Sequence, residues 1–69
     1  MFMKPVVSDN FVSVGYNALS KILRIEFKHG LYEYYNVPEH VYQNLLNSKS
    51  KEKYYDRFIK NVYPSTKIK

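Results

Sequence analysis

The sequence predicts an α+β domain: a three-stranded antiparallel meander followed by two helices packed on one face of the sheet, in the order β-β-β-α-α. Three observations carry this reading. Residues 11–36 hold three stretches that alternate apolar and polar side chains, the period of a half-buried strand. Residues 37–62 switch to an i, i+4 apolar spacing, the period of a helix face. Turn and break residues fall between the stretches, at Asn17, Gly30, Asn36, Pro38 and Pro64.

The elements follow in order. Residues 1–8 read as an arm leading into a single domain over 9–64, and 65–69 as a basic tail. Val12, Val14 and Tyr16 define the first strand, with Asn17 to Ser20 as the connection. Lys21 to Lys28 is the second, with Leu23, Ile25 and Phe27 on one side and Arg24, Glu26 and Lys28 on the other. His29-Gly30 reads as a tight turn in which Gly supplies a positive φ. Leu31 to Asn36 is a tyrosine-rich third strand. Loops at 29–30 and 17–20 would pair Phe27 with Tyr32, Ile25 with Tyr34, Glu26 with Glu33, Arg24 with Tyr35, Val14 with Leu23 and Val12 with Ile25. Both hairpins then place Val12, Val14, Leu23, Ile25, Phe27, Tyr32 and Tyr34 on one face, which a one-residue slip would expose. Glu26 opposite Glu33 is the unfavourable pair in that register.

Pro38 suits a first helical turn, and Glu39 complements the helix dipole beside it. Val37, Val41 and Leu45, with Tyr42 and Leu46, give a helix over about 38–47. Ser50 is a suitable N-cap for a second helix over about 51–62. Its stripe is Tyr54, Tyr55, Phe58, Ile59 and Val62, and Pro64 stops it.

At 69 residues the chain has room for one small domain. A domain of this size buries only about 60% of the surface of its unfolded chain, so each core residue matters. Without cysteine there is no disulfide framework and no thiolate metal site, and a reducing cytoplasmic home is expected. No apolar run approaches the roughly 18 residues of a membrane span, and Met1 to Val7 lacks the apolar stretch of a signal peptide.

The net charge is +5, and its distribution is uneven. Charges balance over residues 1–47, so the whole excess lies in residues 48–69. A localised basic segment on a neutral domain points to a polyanionic partner. Nine of the eleven cations are lysines, which favours phosphate contacts over bidentate base reading. The start of the second helix gathers Ser48, Ser50, Lys51 and Lys53 where free backbone amides and the helix dipole attract a phosphate. Arg57 and Lys60 extend that basic surface. Tyr35, with Arg24 beside it on the open sheet face, is a stacking candidate. Tyr32 and Tyr34 belong to the packed face, their hydroxyls able to reach a pocket rim. His29 and His40 lack nearby partners for metal or triad chemistry, and the chain carries none of the usual catalytic spacings. No enzyme activity, metal or cofactor is therefore expected.

Val12-Ser-Val-Gly-Tyr16, Leu23-Arg-Ile-Glu-Phe27, Gly30-Leu-Tyr-Glu-Tyr34, Asn36-Val-Pro38, Ser50-Lys51, Tyr54-Tyr55, Ile59-Lys60 and Tyr63-Pro64 follow one pattern in order. The pattern resembles the KTSC domain, a short module found at the C-terminus of some lysyl-tRNA synthetases and as small bacterial and phage proteins. The resemblance spans residues 8–64 and implies RNA as the favoured partner. Where the family usually reads Ala-x-Ser-x-Gly, this chain reads Ser48-Lys-Ser50-Lys-Glu52, so a side chain stands at a position of close backbone approach.

The expected function is thus a non-enzymatic module binding a phosphate-bearing partner, RNA above DNA, with low sequence specificity. The alternatives are a small-nucleotide binder, phage-encoded and acting as a homo-oligomer, and a protein-interaction domain. Replacing Tyr34 with Ala should cost about 3–5 kcal/mol and unfold so small a domain. Tyr35→Ala should melt close to wild type. Thermal melts followed by circular dichroism distinguish the two.

Overall fold

The structure is a computed structural model describing residues 1–69. Five strands and two helices follow one another: β1 Lys4–Pro5, β2 Phe11–Asn17, β3 Ile22–Phe27, β4 Gly30–Tyr34, α1 Glu39–Asn47, α2 Lys51–Phe58 and β5 Ser65–Lys67. The sheet runs β1-β2-β3-β4-β5, antiparallel throughout. The α+β class and the two helices match the sequence, but the sheet has five strands rather than three. Both additions come from the segments read as arm and tail. Two residues of β1 cannot display a period, and β5 is exposed at all three positions, so neither carries a hydrophobic pattern. Pro5 sits on an edge strand, where its missing N–H is tolerated.

Both hairpin registers differ from expectation by two residues. In β3–β4 the pairs are Leu23–Tyr34, Arg24–Glu33, Ile25–Tyr32, Glu26–Leu31 and Phe27–Gly30, so the loop is Lys28-His29. A shift of two keeps every side chain on its face while changing every partner. The shift replaces the Glu26–Glu33 clash with a salt bridge between Arg24 and Glu33. It also leaves Tyr35 no longer opposite Arg24. Gly30 does not have a positive φ and neither does its loop. Its place is set by crowding: a Cβ there would lie 2.6 Å from the Lys69 carbonyl oxygen and 3.0 Å from Lys67 Cε.

In β2–β3, Val14 pairs with Ile25 and Asn17 with Ile22, so the loop is 18–21 rather than 17–20. Asn17 Oδ1 accepts from the Leu19 and Ser20 amides at 3.0 and 3.2 Å, an Asx turn, and Lys21 closes it at φ 58°. A bulge between Phe11 and Ser13 turns Val12 outward, 41% exposed, and puts Phe11 in the core instead.

The core lies between the sheet and the helices. Val14, Leu23, Ile25, Phe27 and Tyr34 come from the strands, Val37, Val41 and Leu45 from the α1 side, and Ile59 from just past α2. Pro38 is the N-cap of α1. α2 ends at Phe58, short of the expected 62, because the chain reverses through Asn61 at φ 62° and returns to form β5. Phe58 and Val62 are consequently exposed, not part of the packed stripe.

On the other face the N-terminal segment crosses the sheet over Gly15. A Cβ at Gly15 would come within 2.7 Å of both Met3 Sδ and the Phe2 carbonyl oxygen. Strand propensity alone would favour Val at this position. Gly15→Val should instead destabilise by about 1–3 kcal/mol through overpacking, seen as a lower urea midpoint.

Candidate functional site

The start of α2 is built as the sequence suggests, but its hydrogen-bonding capacity is largely used within the chain. Ser50 Oγ accepts from the Lys53 amide at 3.3 Å, the ordinary N-cap bond. Ser48 Oγ donates to the Leu45 carbonyl at 2.8 Å, and Lys51 Nζ reaches the Ser48 carbonyl at 3.4 Å. Glu52 accepts from the Ser8 hydroxyl and from the Asn10 amide. The Ser8 hydroxyl above all, with backbone amides, holds its carboxyl below the usual carboxylate range. The positive end of the helix thus already faces a carboxylate of the chain itself. The residue that departs from the family pattern fastens the segment before β2 to α2.

The basic residues beyond this turn separate. Lys51 borders a hollow with Lys4, Val6 and Gln43. Lys53 is exposed. Arg57 lies over the Phe58 ring at 5.8 Å and borders another hollow with His40, Tyr54 and Tyr63. Lys60 alone reaches a third hollow, and this one is aromatic.

That third hollow, about 330 Å³, is a cradle at the joint between β4 and α2. Phe27, His29, Tyr32, Tyr34 and Tyr55 form its walls, with Lys60, Asn61 and Ser65 at its edge. Alternation along β3 and β4 brings Phe27, Tyr32 and Tyr34 to the helix side of the sheet. α2 supplies Tyr55, and the reversal after α2 delivers Lys60 and Asn61. The Tyr34 and Tyr55 hydroxyls meet at 2.6 Å, their rings 5.9 Å apart at 80°. Phe27 sets its ring edge-on to Tyr32 at 5.5 Å and near Tyr55 at 5.3 Å. When one hydroxyl donates to the other, the acceptor's own proton remains for a ligand. The cradle therefore offers aromatic faces, a phenolic donor from the Tyr34–Tyr55 pair, the Tyr32 hydroxyl, which has no partner within the chain, and an ammonium group. A neighbouring hollow of about 140 Å³ shares Phe27, His29 and Tyr55 but is edged by Glu52 and Asp56.

Tyr34 is 3% exposed and belongs to the core, as expected, while its hydroxyl lines the cradle. Tyr32 is half-buried beside it. Arg24 and Tyr35 lie apart on the outer face, both turned to Glu33. Arg24 Nε donates to Glu33 at 3.1 Å, and the Tyr35 hydroxyl lies 3.4 Å from the same carboxylate. The structure thus divides the sequence candidates between two faces of the sheet. Sequence reasoning missed Tyr55 and His29. A helical stripe cannot separate a tyrosine that only packs from one whose hydroxyl opens into a hollow, and His29 gains its neighbours only through the turn position.

Burial raises the Tyr34 phenol far above its ordinary value, and the bond to Tyr55 raises it further. Burial also raises Tyr55, Tyr16 and Tyr42. Tyr16 donates to the Val37 carbonyl and stacks on Tyr42 at 5.2 Å, anchoring α1 as Tyr55 anchors α2.

A family model for the KTSC domain matches residues 7–63. The crystal structure of a KTSC domain protein from Yersinia pestis superimposes with a TM-score of 0.96 at 35% identity. The alignment covers 99% of this chain and 97% of that one. No curated protein matches the chain.

The raised phenols make stability fall at alkaline pH. Below the ordinary phenol value of about 10 the tyrosines are neutral folded or unfolded and contribute no pH dependence. Above it the unfolded chain releases protons that the native chain retains, which favours unfolding. Urea midpoints should hold from about pH 8 to about pH 10 and then decline. Tyr34→Phe should shallow the decline.

Proposed function

The chain belongs to the KTSC domain family, and we propose that it is a non-enzymatic module binding single-stranded nucleic acid, RNA favoured, with little sequence specificity. The Tyr32–Tyr34–Tyr55 cradle with Lys60 at its edge carries this reading. Its volume falls at the lower end of ordinary ligand sites. Aromatic walls stack any base, because every base has a π-face. Lys60 is positioned as a point charge for the adjoining phosphate.

Low specificity follows from the arginines. Arg24 is paired with Glu33, which leaves Arg57, set over Phe58, as the one arginine without an ion-pair partner for bidentate base reading. Lysines contribute affinity without sequence information. A cytoplasmic site of action is part of this reading.

The size of the cradle, suited to one base, favours a second reading as a small-nucleotide binder, with an oligomer enclosing the ligand further. Fluorescence anisotropy with a labelled oligouridylate tests the first reading. Raising salt from about 50 to about 200 mM should cut affinity sharply. Lys60→Ala should lower the salt slope by about 0.7. Tyr32→Ala should weaken binding by about 1–3 kcal/mol while the half-buried site keeps the fold. Salt-independent binding, or none to RNA or DNA, overturns the proposal. Affinity for uridine monophosphate equal to that for the oligomer favours the small nucleotide.

A further inference from the structure

The tip of the β3–β4 hairpin stands between two hollows. The cradle opens on the helix side of the sheet. On the outer face lies a hollow of about 410 Å³ bordered by Met3, Arg24, Glu26, Lys28, Leu31 and Lys69. Phe27 and His29 border both hollows, so the two meet around the tip. Arg24, Glu26 and Lys28 share the outward face through the strand period of two.

The charges here are not equally available. Arg24 is paired with Glu33, and Glu26 accepts from the buried Ser13 hydroxyl at 2.8 Å. Lys28 and Lys69 are exposed and hold no ion pair. Gly30 brings a further lysine to the hairpin on its helix side, where Lys67 pairs with Tyr32. With no side chain of its own, it lets the Lys69 carbonyl and the Lys67 side chain lie directly over the hairpin. Lys60 stands on the far side, in the cradle. Lysines from the turn, from β5 and from the end of α2 therefore surround His29, although they are far apart in the chain.

We propose that the outer hollow is a second subsite for the same ligand, taking the phosphodiester backbone that continues around His29 from a base held in the cradle. This rests on the nucleic-acid reading of the cradle and deepens it: the ligand is a strand of several nucleotides, not a mononucleotide. A stacked base needs the aromatic side of the tip, and the flanking phosphates need cations without carboxylate partners. Lys28 and Lys69 meet that need in the outer hollow, which adjoins the cradle at His29.

The test compares uridine monophosphate with a short labelled oligouridylate, using wild type, the double variant Lys28→Glu with Lys69→Glu, and Lys21→Glu. Lys21 is an exposed lysine at the opposite end of β3 and controls, at half the charge change of the double variant, for charge reversal away from both hollows. Thermal melts verify that each variant folds. The oligomer should bind wild type more tightly than the monophosphate does. The double variant should lose most of that advantage, with a salt slope lower by about 0.7 for each phosphate contact removed. Monophosphate affinity should stay within twofold of wild type. Equal affinity for both probes, or equal weakening by Lys21→Glu, overturns the second subsite while leaving the cradle intact. Displacement of the oligomer by polyglutamate as readily as by unlabelled RNA overturns it in favour of an acidic protein partner. Failure of both probes to bind wild type removes the cradle reading and the subsite with it.

Discussion

The meeting of Tyr34 and Tyr55 is the constraint on which the rest of the structure turns. Tyr34 closes β4, 3% exposed beneath the helices, and a buried phenol needs a hydrogen-bond partner. The partner comes from α2, which has no fully buried residue of its own. The helix is held by Tyr55 and half-buried Tyr54, and then by Ile59 beyond its end. Phe11 and Phe27 press their rings edge-on to Tyr55 at 5.6 and 5.3 Å. Such aromatic pairs add about 0.5–1.5 kcal/mol each beyond the area they bury. The joint between sheet and helix is therefore aromatic and polar at once, and the hollow beside it inherits both properties.

A sheet in so small a domain must also manage its edges. β1 is two residues long with Pro5, and β5 is three residues long with Lys67, devices that discourage pairing with another chain. The two glycines serve this arrangement. Gly15 admits the N-terminal segment against β2, and Gly30 admits the last residues against β4. The outer face is thereby covered over β2 and left open beyond it, where the paired Arg24 and Glu33 lie.

The fold redistributes the charge. Along the chain the excess is one block in the last third. In space Lys51, Arg57 and Lys60 serve three different hollows, while Lys28 from the neutral portion joins Lys67 and Lys69 at the hairpin tip. Each hollow thus has its own local chemistry, and only the cradle combines a lysine with several aromatic faces.

The sequence by itself determined the class, the two helices, and which residues of β3 and β4 face the core. These depend on local periods, and a period survives any shift of register by two. It also marked Tyr34 as core and Ser50 as a cap, since both follow from near neighbours. The tertiary structure alone decided the partners across the strands, because shifts of two leave the hydrophobic pattern unchanged and a pair such as Arg24–Glu33 must break the tie. It alone turned Val12 out at a bulge, ended α2 at Phe58 to return the chain through Asn61, and recruited two pattern-free segments as edge strands. The cradle belongs to the same group. Its residues come from β3, the hairpin turn, β4, α2 and the segment after it, and they meet only because Tyr34, once buried, must find a hydroxyl on the helix that covers it.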